Sequence, residues 1–132
     1  MQKLKASIHS GYGIYNKLYD VFMIDFEIGE ILLSSGDTHL LEDVNVIEYT
    51  GEKTKEGEEV WEGDIFKQTM GDKEVIFEVI FKYSMFMARI KNGREFALMV
   101  ALQNNYNHEC KLEKLGNVFK NPELLEQKWN QH

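Results

Sequence analysis

Glu74-Val75-Ile76-Phe77-Glu78-Val79-Ile80-Phe81-Lys82 places Val75, Phe77, Val79 and Phe81 on one side of an extended chain and Ile76, Glu78, Ile80 and Lys82 on the other. Such sustained alternation marks a strand, because successive side chains of a pleated backbone point to opposite faces. Working outward, Met70-Gly71-Asp72 reads as a hairpin turn that brings in a preceding strand, Ile65 to Thr69. On the other side, Asn92-Gly93 is the strongest two-residue hairpin signal in the chain, since both residues tolerate the positive φ of a type I′ turn. That turn predicts arms at Tyr83 to Ile90 and Glu95 to Leu102, with Lys91 opposite Arg94, Arg89 opposite Phe96 and Met87 opposite Leu98. Gln103 to Glu109 reads as a polar loop and Cys110 to Val118 as a last strand. Five closely spaced strands after residue 60 suffice to close a small barrel.

The N-terminal third is also extended. Leu18 to Glu27 is rich in Val, Phe and Ile; Ile28-Gly29-Glu30 turns, Ile31 to Leu33 returns, and Val44 to Tyr49 adds another short strand. Together they predict an antiparallel meander over residues 1–48, with a loop at His9-Ser10-Gly11-Tyr12-Gly13. The barrel is expected over 49–120, and a short helix over 121–132, with Asn121 as its cap and Pro122 in its first turn. The sole proline is Pro122, so the strand interiors are free of that breaker.

Composition bounds the remaining possibilities. A length of 132 residues, 43% of them hydrophobic, is enough for one folded domain with a real core. No apolar run reaches the roughly 20 residues of a membrane-spanning helix, and the start does not read as a signal peptide. The lone Cys110 cannot form an intrachain disulfide, which fits a cytoplasmic setting. The net charge of −7 is concentrated: nine acidic residues against two basic ones lie between Glu42 and Asp64, so this stretch carries the whole imbalance. Charge of this sign disfavours a phosphate backbone as partner. Glu56, Glu58 and Glu59 belong either to a solvated loop or to a contact for a basic protein.

Two acidic side chains at i and i+2, Glu62 and Asp64, share one side of an extended chain and would suit a shared proton or a metal; the favoured reading is a turn junction that Asp64 holds and Glu62 caps or solvates. His108-Glu109-Cys110 lacks the ligand count of a zinc site. Trp61, Phe77, Phe81, Tyr83, Phe86 and Phe96 would stack on bases or fill a core, and their alternation favours the core. Lys82, Arg89, Lys91 and Arg94 flank the Asn92-Gly93 hairpin and make it the candidate for nucleic-acid contact. Met85, Met87 and Met99 are core residues or an adaptable protein-binding face. No His-x-x-x-His, Gly-x-Ser-x-Gly or phosphate-binding glycine motif occurs, so the expectation is a non-enzymatic protein without cofactor or metal.

Two motifs some fifty residues apart carry a resemblance. The first comprises Tyr49-Thr50-Gly51, Gly57, Val60-Trp61 and Glu62-Gly63-Asp64; the second is Gly116-Asn117-Val118-Phe119-Lys120-Asn121-Pro122-Glu123-Leu124-Leu125. Together they resemble the YopX family of phage and prophage proteins of Gram-positive bacteria. The pattern departs at Glu48, Glu52 and Thr54, where that family usually has Gln, Leu and Asp. The resemblance implies an SH3-like barrel in the C-terminal part and a phage or prophage setting, with no established chemistry. The expected function is a binding or assembly protein that contacts a protein partner or itself as a homo-oligomer. The alternatives are a nucleic-acid-binding regulator using the 89–94 hairpin and an acidic decoy for a basic host protein.

Overall fold

The structure, a computed structural model, describes residues 3–90, 93–104, 110–121 and 123. It is mainly β, with two antiparallel sheets. The first is built from β1 (Leu4–Ile8), β2 (Tyr19–Asp25), β3 (Glu30–Leu33), β4 (Thr38–Leu40), β5 (Val44–Lys53) and β6 (Glu59–Trp61), in the order β4-β3-β2-β1-β5-β6. The second contains β7 (Asp64–Met70), β8 (Lys73–Lys82), β9 (Met85–Ile90), β10 (Glu95–Ala97) and β11 (Cys110–Asn117), in the order β10-β9-β8-β7-β11. The first sheet therefore continues past residue 48, and the chain changes sheet at Glu62-Gly63.

The N-terminal meander contains two strands more than its sequence shows, Leu4–Ile8 and Thr38–Leu40. Leu4–Ile8 is central, pairing with β2 through Ala6↔Tyr19 and with β5 through Ala6↔Val46. Leu4, Ala6 and Ile8 face one way by pleat alternation, and Ala6 and Ile8 pack with Ile31, Leu33 and Val44 as a buried cluster. The segment after β1 contacts β4 at the surface: the Tyr12 ring stacks on His39 at 4.6 Å between centroids, and the Tyr12 hydroxyl donates to the Thr38 carbonyl.

The second sheet follows the alternation of its deciding stretch only at its centre. Phe81, expected on the inward face, is 52% exposed, and Glu78 on the other face is buried. Tyr83 and Phe96, expected in the core, are exposed, since the end of β8 and its turn extend beyond the core. Phe77 and Val79 are buried and join Phe66, Ala88 and Val60 in the larger core, with the Phe66 and Phe77 rings 5.4 Å apart. The expected closure into an SH3-like barrel does not occur. The arm read as a strand over 95–102 is extended only through Ala97 and then becomes a helix, α1 (Leu98–Asn104). Leu98, Met99, Ala101 and Leu102 are good helix formers, and Leu98, Ala101 and Leu102 recur at helical spacing. Those three side chains are buried in the core while Met99 and Val100 are exposed. Gln68 Nε2 donates to the Ala101 carbonyl at 3.1 Å, tying the helix to β7. The helix thus covers the core where further strand pairing would have closed the sheet, which remains open between β10 and β11.

The hairpin before it differs by one residue from the expected register. Glu95 pairs with Arg89, Phe96 with Ala88 and Ala97 with Met87. Ile90 N–H donates to Arg94 C=O (2.9 Å) and Gly93 N–H to Ile90 C=O (3.0 Å), so three residues rather than two connect the arms. Gly93 takes φ +90°, the position a three-residue hairpin reserves for glycine. Asn92 and Lys91 lie outside the described residues. So do most of the expected 103–109 loop and, apart from Asn121 and Glu123, the expected C-terminal helix with its Pro122.

The connection between β8 and β9 is itself a two-residue turn. Lys82 pairs with Met85, and Tyr83 and Ser84 both have positive φ, 57° and 62°. That is type I′ geometry without the asparagine or glycine it normally prefers.

Candidate functional site

The two sequence motifs meet where the chain passes between the sheets. Asp64, at the start of β7, is buried, and its Oδ2 accepts the Trp61 N–H at 2.7 Å. Its Oδ1 accepts Asn117 Nδ2 at 2.9 Å, and Lys114 Nζ lies 3.2 Å from Oδ2. Asn117 also donates to the Glu62 carbonyl (3.1 Å) and accepts the Phe119 N–H (2.9 Å). Asn121 Oδ1 accepts the Asn117 N–H at 3.4 Å. Between them, Gly63 donates to Val79 C=O and accepts from Val118 N–H, both at 2.8 Å. One residue thereby links the end of the first sheet to β8 and to the segment after β11.

The first motif's remaining residues shape the β5–β6 hairpin. Thr50 Oγ1 donates to Val60 C=O at 2.6 Å and accepts the Glu52 N–H at 3.1 Å. The strand register shifts between Tyr49 and Lys53, a stretch that contains Gly51 at φ +86°. Gly57 N–H donates to Thr54 C=O, and the buried Thr54 accepts the Glu58 N–H through its hydroxyl. Glu62 closes the start of the hairpin, with its carboxylate 3.3 Å from the Glu48 N–H.

Burial raises the pKa of Asp64 above its ordinary value, against the opposing hydrogen bonds from Asn117 and Trp61 and the charge of Lys114. Burial raises Glu62 as well, the Glu48 N–H pulling it back. The donors around Asp64 are hydrogen-bond partners in a turn; Glu62 reaches back to β5 instead of joining Asp64 at a common ligand.

A second feature lies on one face of the first sheet. Lys3, Lys5 and Trp61 meet Asp20, Phe22 and Phe26 around an open groove of about 860 Å³. Phe22 is 68% exposed, Met23 54% and Phe26 80%, unusual for large apolar side chains grouped together. The β2–β3 register shifts between Val21 and Met23. This bulge displaces the alternation locally and leaves the neighbouring Phe22 and Met23 side chains exposed. At the groove edge, the Lys5 ammonium sits 4.6 Å from the centroid of the Trp61 ring.

The family model described as YopX protein matches residues 14–126. The chain belongs to the YopX family. It is similar to the crystal structure of protein YopX from Bacillus subtilis, with 16% identity over 93% of this chain and 97% of that one and a TM-score of 0.57. It is similar also to protein EF1440 from Enterococcus faecalis, with 18% identity over 95% and 98% of the two chains and a TM-score of 0.57. At these identities the likeness shows the fold. No curated protein matches the chain.

In this YopX-family chain the sequence-predicted contact residues are spread over different parts of the fold. Arg89 NH2 lies 3.0 Å from Glu78 Oε1, and Arg89 also stands opposite Glu95 in the β9–β10 register. The Arg94 guanidinium lies 5.3 Å from the Phe96 ring centroid, and Lys91 is outside the described residues. Lys82 pairs with Glu95 at 3.0 Å. Trp61 is only 5% exposed, so its ring is a groove wall rather than an open stacking platform. Glu59 is engaged by Lys3, whose hydrogen bond and charge hold the carboxylate below its ordinary pKa. Glu58 lies 3.6 Å from Lys114. Met85 and Met99 are exposed, and Met87 is half-buried.

Sequence reading missed the exposed trio Phe22, Met23 and Phe26. The available signal was Phe22-Met23 itself: two adjacent apolar residues in an alternating strand cannot both face inward unless the strand bulges.

Proposed function

We propose that the chain is a non-enzymatic assembly protein of a phage or prophage, acting in the cytoplasm of its bacterial host by protein contact. The first partner proposed is a second copy of itself, seated across the groove of the first sheet. The observation that carries this reading is the exposure of Phe22, Met23 and Phe26 on one side of that sheet. Covering an exposed Phe or Met side chain fully is favourable by about 1.5–3 kcal/mol. The groove also bears both signs of charge: Lys3 and Glu59 pair within one chain, and Lys5 and Asp20 are of opposite sign, which a self-complementary two-fold interface can use. The phage setting rests on the family resemblance.

The test is mass in solution by light scattering at two salt concentrations, on the wild-type chain and a Phe22→Ser/Phe26→Ser variant. A wild-type dimer indifferent to salt, converted to monomer in the variant, is expected. A wild-type monomer throughout, or an oligomer that the variant leaves intact, overturns the reading. Nucleic acid eluting with the wild-type protein at low salt and lost at high salt would replace it with the regulator reading.

A further inference from the structure

A small cavity lies where β1 of the first sheet approaches the end of β11. Its volume is about 160 Å³, and its lining includes Lys5, Lys114, Lys120, Trp61, Asp64 and Asn121. Three ammonium groups and one carboxylate therefore belong to the residues that enclose it. The carboxylate is already committed: Asp64 accepts from Trp61 and Asn117 and is matched by Lys114. Lys114 is in turn occupied, donating to the Glu59 carbonyl at 2.9 Å. Among the described residues, neither Lys5 nor Lys120 makes a salt bridge.

We propose that this cavity binds a small oxyanion group, a phosphate or a carboxylate, between Lys5 and Lys120. Two surplus positive charges beside a partly apolar wall run against the chain's net charge of −7, and such a recess concentrates potential of its own sign. The Lys5 ammonium is held over the Trp61 ring, which keeps the charge at the cavity wall. Asn121 uses its side-chain oxygen on the Asn117 N–H, which leaves its amide nitrogen as a neutral donor. A cavity of about 160 Å³ is a size suited to one oxyanion rather than a whole nucleotide. Lys5 and Trp61 border both this cavity and the groove, so an anionic group held here would lie next to whatever the groove contacts. The site stands on its own charge balance and does not require the groove to be an interface.

The test is titration of the full chain with inorganic phosphate and, separately, with acetate, at ionic strength held constant with chloride. The readout is the amide resonances of Gly116, Asn117 and Lys120, with Gly36 as a distant reference. Saturable shifts confined to the cavity are expected, for phosphate, acetate or both. The anion that saturates at the lower concentration identifies the source, a phosphoryl group or a peptide carboxylate. Each lost charge-assisted contact should weaken binding by about tenfold or more. Lys120→Met, at an exposed position without a salt bridge, reads this without threatening the fold; Lys5→Met reads the opposite wall, and Lys111→Met is the control. Shifts that grow linearly without saturation, or equal affinity in Lys120→Met and wild type, overturn the proposal.

Discussion

Replacing Gly63 with alanine tests the claim that the two motifs form one junction. Gly63 has φ +88°, where an L-residue is disfavoured by about 1–2 kcal/mol. A Cβ there would meet Phe119 Cδ2 and Cε2 at 2.7 Å and Asn117 Oδ1 at 3.1 Å. The ring must move, and overpacking of this kind costs roughly 1–3 kcal/mol. The Asn117 side chain is tied by its bonds to Asp64 and to the Phe119 N–H, so the ring takes the displacement. The sum is a destabilisation of about 3 kcal/mol, a large share of the 5–15 kcal/mol typical of a domain. In thermal unfolding this is a fall in Tm of about 10 °C, and in urea a midpoint lowered by roughly 1–2 M. The double variant Gly63→Ala/Phe119→Ala separates the contributions: compared with Phe119→Ala alone, the added alanine should retain the backbone cost and lose the steric one. A single variant that melts within about 2 °C of wild type would refute the close approach of the two motifs. Equal costs of Gly63→Ala in the two backgrounds would refute the steric part.

Three further outcomes follow from other parts of the molecule. Ser84→Gly should stabilise by about 0.5–1 kcal/mol, the relief of one positive-φ residue less the freedom glycine adds to the unfolded chain; a lower urea midpoint would mean the turn is unstrained. In α1, Leu102→Ala should cost about 2–5 kcal/mol and Val100→Ser less than about 0.5 kcal/mol, whereas strand alternation would bury Leu98, Val100 and Leu102 together; similar losses for both variants in denaturant titrations would count against the helix. Burial raises Glu62 above 4.5, so the folded state binds its proton more tightly than the unfolded chain; that stability is complete below pH 4.5 and is lost as pH rises through the folded pKa. Glu62→Gln should therefore gain on wild type between pH 4 and pH 7, and a difference in urea midpoints that stays constant across this range would remove burial as the cause.

The second sheet was legible where a single rule governed a long segment. Alternation over 74–82 set the inward face at its centre, where Phe77 and Val79 are buried, but not at its end, where Phe81 is exposed, nor on the opposite face, where Glu78 is buried. The Gly71-Asp72 turn joins paired strands, with Met70 opposite Lys73. The sequence was silent or misleading where two rules competed. Glu95 to Leu102 contains apolar residues at both strand and helix spacing, and covering the exposed core favours the helix from Leu98 onward. Asn92-Gly93 has the residue types of a two-residue turn, yet the same glycine serves a three-residue one, so composition cannot set the register. Leu4–Ile8 is too short to display its period, and its place in the sheet comes from pairing with distant partners at Tyr19 and Val44. The groove escaped notice because a bulge, rather than residue type, exposes Phe22 and Met23.

The junction also explains why a specific sequence signature can accompany so little functional information. Each motif supplies groups that the other satisfies: Asn117 donates to Asp64 and to the Glu62 carbonyl, and Gly63 leaves the space that Phe119 fills. A buried carboxylate or carbonyl with its partner removed costs about 1–3 kcal/mol or more, so the two motifs are useful only as a pair. Their hydrogen bonds point into the protein and hold one sheet against the next. The exposed apolar side chains of the groove, Phe22, Met23 and Phe26, lie outside these motifs, as does Lys5, while Trp61 of the first motif forms its wall. The cavity, by contrast, is lined by motif residues, Trp61, Asp64 and Asn121 among them, and Lys120, within the second motif, makes no salt bridge among the described residues. A junction built this way can keep its shape while the groove and the cavity charges change, so family membership fixes the frame without fixing those surfaces.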